Sequence, residues 1–502
     1  MLIRCVAALL GGVVLSVGFA PVGSAPAMPV GIAILVLCIR GRRLRAGALI
    51  GWLFGLAFFG GVLWWLRVVG PDAWGALTVA QSIYFAPLGM AIAAVTRLRW
   101  WPLWTACAWV SVETWRGAWP FGGLTWGRLS FATADTLWAA ALPWLGMTGV
   151  SLLIALTGTF LAWLVTSRLR RPAAAAVAAA GLVAVTCVPS LATYDLERGR
   201  SMTVAAVQAD VPGDGTDVLA HYRDITRAFS ETTIELAGTR QPVDFVVWSE
   251  NSTAVDPFTD VETNSEITRA SDAIGVPILV GGMVNSSREK EVLNQGIVWQ
   301  PEIGGGDRYT KRHPVPYGEY IPYRGSFIPD TYGQLALIPR DMASGTSLEP
   351  LRIAGARVAD AICFDVSYDD AIHGQVANGG QLITVQTSNA MFINTAQIDQ
   401  QFEISRLRAI ETGRYVVVAA INGLSGIIGP DGEVVESVDP RTRSVVVGDV
   451  TLADELTPAV WMGPWPGRVI VGVTFLSIAF ILVTYRRKGR HDLGFEHPRG
   501  DQ

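Results

Sequence analysis

A glutamate, a lysine and a cysteine each sit where an apolar or stiff segment ends in the second half of the chain. Glu250 closes "VDFVVWSEN", Lys311 lies in "DRYTKRHPVPYGEY", and Cys363 closes "RVADAIC", just before the carboxylates of "FDVSYDD". A thiol can attack an acyl carbonyl once its proton is removed. A neighbouring carboxylate can take that proton, and a fixed cation can hold the oxyanion that forms. Sites in α/β sheets are assembled at strand ends, so the three residues are expected to converge. Each has a plainer alternative: Glu250 as a helix cap or ion-pair partner, Lys311 as a solvated loop charge, Cys363 as an inert thiol.

Other chemistries find less support. Cys5, Cys38, Cys107 and Cys187 fall in or beside long apolar runs, which leaves Cys363 no disulfide partner in its own region. The histidines form no HExxH pair and there is no CxxC, so no metal or cofactor is expected. The glycines of "PEIGGGDRYTK" lack a phosphate-loop pattern and read as a turn. No basic stripe with interleaved aromatics points to nucleic acid.

The elements that would position the three residues are strands near 202–208, 243–249, 276–284, 294–300, 357–363, 381–387, 415–421 and 444–450, with helices near 217–237, 261–274 and 395–412. Near-continuous apolar strands imply a sheet covered on both faces, hence an α/β layered sandwich.

The chain around this region is too apolar for an ordinary soluble enzyme: 502 residues, 50% hydrophobic, with 18 Trp. Runs near 2–20, 46–66, 74–96, 147–166, 173–190 and 467–485 approach the roughly 20 residues a bilayer crossing takes. Weaker runs lie near 28–40 and 101–115, which makes eight expected spans. Positive charge alternates across them. The inner connections would hold Arg40, Arg42, Arg43 and Arg45, then Arg97 and Arg99, then Arg168, Arg170 and Arg171, with Arg486, Arg487, Lys488 and Arg490 in the tail; the outer ones among the first seven spans hold only Arg67, Arg116 and Arg128. Residues 1–27 also fit a cleaved signal peptide, but an uncleaved first span is preferred, and either choice puts the sandwich outside the cytoplasm. The expected divisions are 1–195 for a seven-helix transmembrane region, 196–460 for the sandwich, 461–486 for a last span and 487–502 for a cytoplasmic tail. Trp64, Trp65, Trp100, Trp101, Trp104, Trp115 and Trp119 read as interfacial anchors, and Gly51 and Gly55 as helix packing. The stretch 116–145 is either an outer loop dipping toward lipid or a plain connector.

With their neighbours, "VVWSEN", "KRHPVPYGEYIP" and "AICFDVSY", the three residues resemble the nitrilase superfamily. A nitrilase-like domain enclosed by membrane spans is similar, within it, to the apolipoprotein N-acyltransferases. The likeness extends to "AAVQADVP" and "SRLRAIETGRYVVVAAINGLSGIIGPDG". It implies an αββα sandwich inserted between transmembrane helices, at the outer face of a bacterial inner membrane. It also implies Cys363 as nucleophile, Glu250 as base and Lys311 as oxyanion cation, helped by the backbone N–H of Phe364. Glu319 is carried over as a helper. The implied partners are a phospholipid acyl donor and a diacylglyceryl apolipoprotein acceptor. Asp365 stands where relatives often have glutamate, one methylene longer, so looser support is expected there. The loop "TSNAMF", 387–392, lacks the Asp and Trp common after its Asn, and Asn389 remains a site candidate. Two rival readings stay open: a membrane-anchored amidase for small amides, and a non-catalytic scaffold that binds lipoproteins.

Overall fold

The structure is a computed structural model that describes residues 1–167, 172–188, 194, 198–213, 221–326 and 329–491. The expected inner arginines Arg168, Arg170 and Arg171, and the tail from 492 on, lie outside these residues, as do the side chains of Arg486, Arg487, Lys488 and Arg490.

The strands are β1 (Arg198–Gln208), β2 (Phe245–Val247), β3 (Ile278–Asn285), β4 (Glu291–Gln300), β5 (Gly304–Thr310), β6 (Asp341–Met342), β7 (Leu351–Ile353), β8 (Ala356–Ile362), β9 (Leu382–Thr387), β10 (Val416–Ala420), β11 (Ser425–Ile428), β12 (Val434–Val438) and β13 (Ser444–Ala453). They form two sheets, ordered β13-β1-β2-β3-β4-β5 with β6 beside β4, and β12-β11-β10-β9-β8-β7. The centres, β1-β2-β3 and β8-β9-β10, are parallel. Side chains alternate across a strand. Met202, Val204 and Ala206 therefore join Phe245, Val247, Val358 and Val417 between the sheets. Ala205 and Val207 instead meet Val246, Trp248 and the helices Tyr222–Thr239 and Val261–Ile274. Asp260 caps the second of these by accepting from the Thr263 N–H at 2.9 Å. The expected helix near 217–237 is Tyr222–Thr239, with 214–220 outside the described residues.

One expectation fails. The glycines at 304–306 are not a turn but the start of β5, paired antiparallel with β4. Gly305 carries no side chain because a Cβ there would lie 2.7 Å from the Phe258 ring. The missing side chains leave no alternation for a sequence pattern to reveal.

Helices occupy the apolar runs: Leu2–Ser16, Ala27–Ile39, Leu44–Val62, Pro71–Ile83 followed by Phe85–Val95, Trp101–Arg116, Leu142–Ser167, Pro172–Cys187 and Trp465–His491. Among the described residues, Leu44–Val62, Pro71–Val95 and Ala139–Ser167 are long and apolar enough to cross a bilayer, while Leu2–Ser16, Ala27–Ile39 and Trp465–Ile481 are shorter apolar helices. Gly51 serves close packing, since a Cβ there would fall 2.1 Å from the Phe85 carbonyl oxygen on the crossing helix.

The helices and the second sheet share one apolar cluster, with Leu407, Ala409 and Ile410 of the helix Ala396–Thr412 packed into it together with Leu142, Met147 and Val150. The 116–145 stretch is an ordered part of the fold. It holds two short 3-10 turns, Leu129–Ala132 and Ala139–Ala141, and is clamped to both halves of the protein. Arg116 is buried and donates from one nitrogen to the carbonyls of Leu124 and Trp126 at 2.6 and 2.7 Å. Arg128 forks onto Asp369 of the sandwich at 2.8 and 2.9 Å. These two arginines are structural ties, which accounts for positive charge on an expected outer connection.

Candidate active site

Glu250 follows β2, Lys311 follows β5 and Cys363 follows β8, so each leaves the end of its strand toward one place. Lys311 is fully buried, and its ammonium donates to Glu250 Oε1 at 2.9 Å and to Glu319 Oε1 at 2.5 Å. Glu250 is 2% exposed. Its Oε1 also accepts from Asn294 Nδ2 at 2.8 Å, and its Oε2 accepts from the Ser388 N–H at 3.1 Å. Glu319 Oε2 accepts from the Val315 N–H at 2.8 Å, which folds the two-proline loop back onto the lysine. The Glu250 strand can lie this close to β3 because Gly281 has no side chain; a Cβ there would fall 2.1 Å from the Ser249 oxygen.

The charges answer one another. Burial works against the Lys311 ammonium, but the charges of Glu250 and Glu319 overcome it and hold the lysine well above its ordinary range. Burial pushes the Glu319 carboxyl up, Lys311 opposes this, and Glu250 adds to the rise. Cys363 is half-buried. Desolvation by its surroundings pushes the thiol up to about 12; Glu250 adds to the rise, and Lys311 and a hydrogen bond from Thr387 oppose it. The resting sulfur therefore keeps its proton at neutral pH and needs a base when it attacks.

A thiol thus lies under the influence of a buried ammonium held by two carboxylates. Two family models match the chain in tandem: the apolipoprotein N-acyltransferase N-terminal domain over residues 11–160 and carbon-nitrogen hydrolase over residues 203–455. An apolipoprotein N-acyltransferase of Mycolicibacterium smegmatis is 34% identical, with 95% of this chain and 85% of that one covered. The chain belongs to the apolipoprotein N-acyltransferase family. A second relative of that name, from Methylococcus capsulatus, is 30% identical over 93% of this chain and 95% of its own. The solved carbon-nitrogen hydrolase of Helicobacter pylori G27 is similar at 14% identity and a TM-score of 0.36, covering 50% of this chain and 89% of that one.

Within this apolipoprotein N-acyltransferase family member, the expected supporting residues divide. Asp365 is fully buried and accepts from Tyr309 Oη at 2.9 Å, the Arg312 N–H at 3.1 Å and the His313 N–H at 2.8 Å. It thereby ties the lysine's segment to the cysteine's. The shorter side chain is fully engaged, contrary to the looser support expected of it. The Phe364 ring lies beside the cysteine and stacks on Trp126 with centroids 5.6 Å apart. Asn389 makes its hydrogen bonds elsewhere: Nδ2 donates to Gln397 and Gln401 Oε1, both at 2.9 Å. It braces the loop whose Ser388 N–H holds Glu250.

Several contributors escape a reading of the sequence. Asn294 holds Glu250 by its side chain, and its carbonyl accepts from the Lys311 N–H at 2.8 Å. A fully buried amide within the apolar run of β4 was the available signal. Trp65 is no interfacial anchor. Its indole N–H donates to Gln400 Oε1 at 3.1 Å, as that of Trp126 does at 2.7 Å, and its ring packs edge-on against Phe392. Phe392, Trp65, Trp126 and Phe364 thus form an aromatic row from the 387–392 loop, past the helical region, to the residue after Cys363, with successive centroids 5.3, 5.8 and 5.6 Å apart.

Asp360, three residues before the cysteine, is fully buried, and burial pushes its carboxyl up to about 7. Its Oδ2 and Gln386 Oε1 both lack a partner, and both point at the space a Gly296 Cβ would fill, 2.2 and 2.7 Å away. The folded state holds this proton more tightly than the unfolded chain, whose carboxyl titrates near 4. Asp360 therefore weighs increasingly against folding as pH rises from about 4 to about 7, and by a constant amount above that, on the order of 4 kcal/mol. Asp360→Asn should raise the melting temperature at pH 8 while changing it little at pH 4.5. Equal shifts at both pH values would show that the carboxyl is not protonated in the fold.

Proposed function

We propose that the protein is a bacterial membrane enzyme that transfers an acyl chain from a phospholipid, through a thioester on Cys363, to the N-terminal α-amino group of a diacylglyceryl-cysteine apolipoprotein. Family membership supports N-acylation of lipoproteins. One observation supports the residue-level reading: Lys311 is buried between Glu250 and Glu319, at 2.9 and 2.5 Å, where the strand that ends just before Cys363 also arrives.

In the first half-reaction, Glu250 takes the thiol proton as the sulfur attacks the ester carbonyl. The carbonyl oxygen gains charge opposite the Lys311 ammonium, with the Phe364 N–H as second donor. The ester C–O bond breaks, Glu250 returns the proton to the leaving glycerol oxygen, and a lysophospholipid departs. In the second, the acceptor amine attacks the thioester, Glu250 removes its proton, the C–S bond breaks and the proton returns to sulfur. Asp365 keeps the lysine and cysteine segments in register, and Glu319 keeps the ammonium aimed. The aromatic row ending at Phe364 gives the acyl chain an apolar wall that excludes water from the thioester. Such a wall suits a lipid better than a small amide, and an intact cluster has no use in a scaffold.

The remaining apolar helices complete eight crossings, with the sandwich on the extracytoplasmic side. A reporter active only outside the cytoplasm should work when fused after residue 200 and fail after residue 490. The reverse pattern would put the site on the wrong side for exported lipoproteins. Purified protein with phospholipid and a diacylglyceryl peptide should yield N-acylated peptide and lysophospholipid in equal amounts, while small amides remain intact. Amide hydrolysis without peptide acylation would replace this reading with the hydrolase.

A further inference from the structure

Cys363 has φ of 53°, a left-handed conformation uncommon for a residue with a side chain, and it opens the 3-10 turn Cys363–Ser367. Such a conformation persists only where surrounding contacts over-determine it. Asp365 supplies contacts from within the sandwich. Two more ties hold the turn, one from the segment that follows the helix Trp101–Arg116 and one from the helix Ala396–Thr412, which is itself linked to the helical half. In the first, the Thr125 hydroxyl donates to Ser367 Oγ at 2.7 Å, and Ser367 donates in turn to the Phe364 carbonyl at 2.8 Å. The second runs through Arg408, fully buried on the helix Ala396–Thr412, whose Nε donates to the Val366 carbonyl at 2.8 Å. The rest of its guanidinium is held by Glu411 Oε2 at 2.5 Å and Asp369 Oδ1 at 2.9 Å. Asp369 also carries the fork of Arg128. Glu411 accepts from the Met147 N–H at 2.9 Å, just past the kink at Gly146 in the helix Leu142–Ser167.

We propose that Arg408 and Thr125 are positioning residues for the nucleophile: they fasten the Cys363 turn to the membrane-embedded half, so that the thiol is aimed only while the two halves are docked. The inference rests on Cys363 being the acylated residue. Both ties end on the turn itself, at Val366 and Ser367. One flat guanidinium meets three acceptors on three elements, a geometry an ammonium cannot reproduce. In this cluster Arg128 and Arg408 face Asp369 and Glu411, with His373 Nε2 3.1 Å from Glu411 Oε2, a network that suits a rigid clamp.

The test is the rate of acyl-enzyme formation, followed by intact mass after mixing full-length protein with detergent micelles of phosphatidylethanolamine, without acceptor. Thr125→Val should slow the step about fivefold to tenfold, as expected for one lost hydrogen bond, and leave the phospholipid concentration for half-maximal rate unchanged. Thr125→Ser keeps the hydroxyl and should restore the rate. Arg408→Lys keeps the charge and should slow the step about a hundredfold or more. A wild-type rate in Thr125→Val, a shift confined to the half-maximal concentration, or a loss in Arg408→Lys fully explained by a lower melting temperature would each overturn the inference. Failure of the wild-type protein to gain any acyl mass on Cys363 would overturn the nucleophile assignment itself, and this inference with it.

Discussion

Cys363→Ala should abolish acyl transfer, and phospholipid alone should distinguish it from every other variant. The wild-type protein is expected to gain the mass of one acyl group, located on the peptide "ICFDVSY" and released by hydroxylamine, which cleaves thioesters. Cys363→Ala should gain nothing. The four other cysteines, Cys5, Cys38, Cys107 and Cys187, lie along the helical region, away from the Glu250 cluster, so none can substitute. Glu250→Ala should form the adduct on the order of a hundredfold to ten-thousandfold more slowly. A thiol pushed up to about 12 is almost wholly protonated at neutral pH and depends on that base. A diacylglyceryl peptide with a free amino terminus should discharge the adduct, and the same peptide acetylated there should not. Turnover by Cys363→Ala, or an adduct on another residue, would remove the mechanism.

The second large effect belongs to Lys311. Its ammonium lies fully buried between Glu250 and Glu319, at 2.9 and 2.5 Å, in a space shaped for a compact point charge. Lys311→Arg keeps the charge but brings a broad planar fork that cannot sit between the two carboxylates and still face the oxyanion. Activity should fall by about a hundredfold to a thousandfold, as when one oxyanion donor is lost. Lys311→Met should do further harm, leaving two buried carboxylates without their cation, a change worth about 3–5 kcal/mol of stability. The pair separates the two roles: Arg, which keeps a cation for the carboxylates, should melt above Met although its activity has already fallen. Near-normal turnover by Lys311→Arg would show that the lysine is a structural counterion only.

Much of this site was legible because its carriers sit at strand ends. Apolar runs mark where a strand is buried, and a reactive residue that ends such a run is conspicuous; Glu250 and Cys363 were visible in this way, while Lys311 and Glu319 were carried by the "KRHPVPYGEY" block. Period and composition also separated a sandwich from a set of apolar helices, since burial of one face or of a whole helix is written into neighbouring residues. Five strands were missed, β5, β6, β7, β11 and β12, all short, glycine-bearing or on the sheet margins, where little burial imposes a pattern.

Partner choice belongs to the tertiary structure alone. Trp65 and Trp126 have the composition of membrane anchors, yet both donate to Gln400, which lies 274 positions beyond Trp126. Arg116 and Arg128 count as outer charges until they are seen buried against carbonyls and Asp369. Asp365 differs from the longer residue expected at its place, but whether one methylene matters depends on where Tyr309, Arg312 and His313 come to rest. The sequence by itself determined which residues must leave water and which strand ends carry reactive groups, because both follow from chemistry read along a few neighbouring positions. Only the fold decided which buried polar groups satisfy one another, because a buried donor must find its acceptor across space and the distance along the chain puts no limit on the choice.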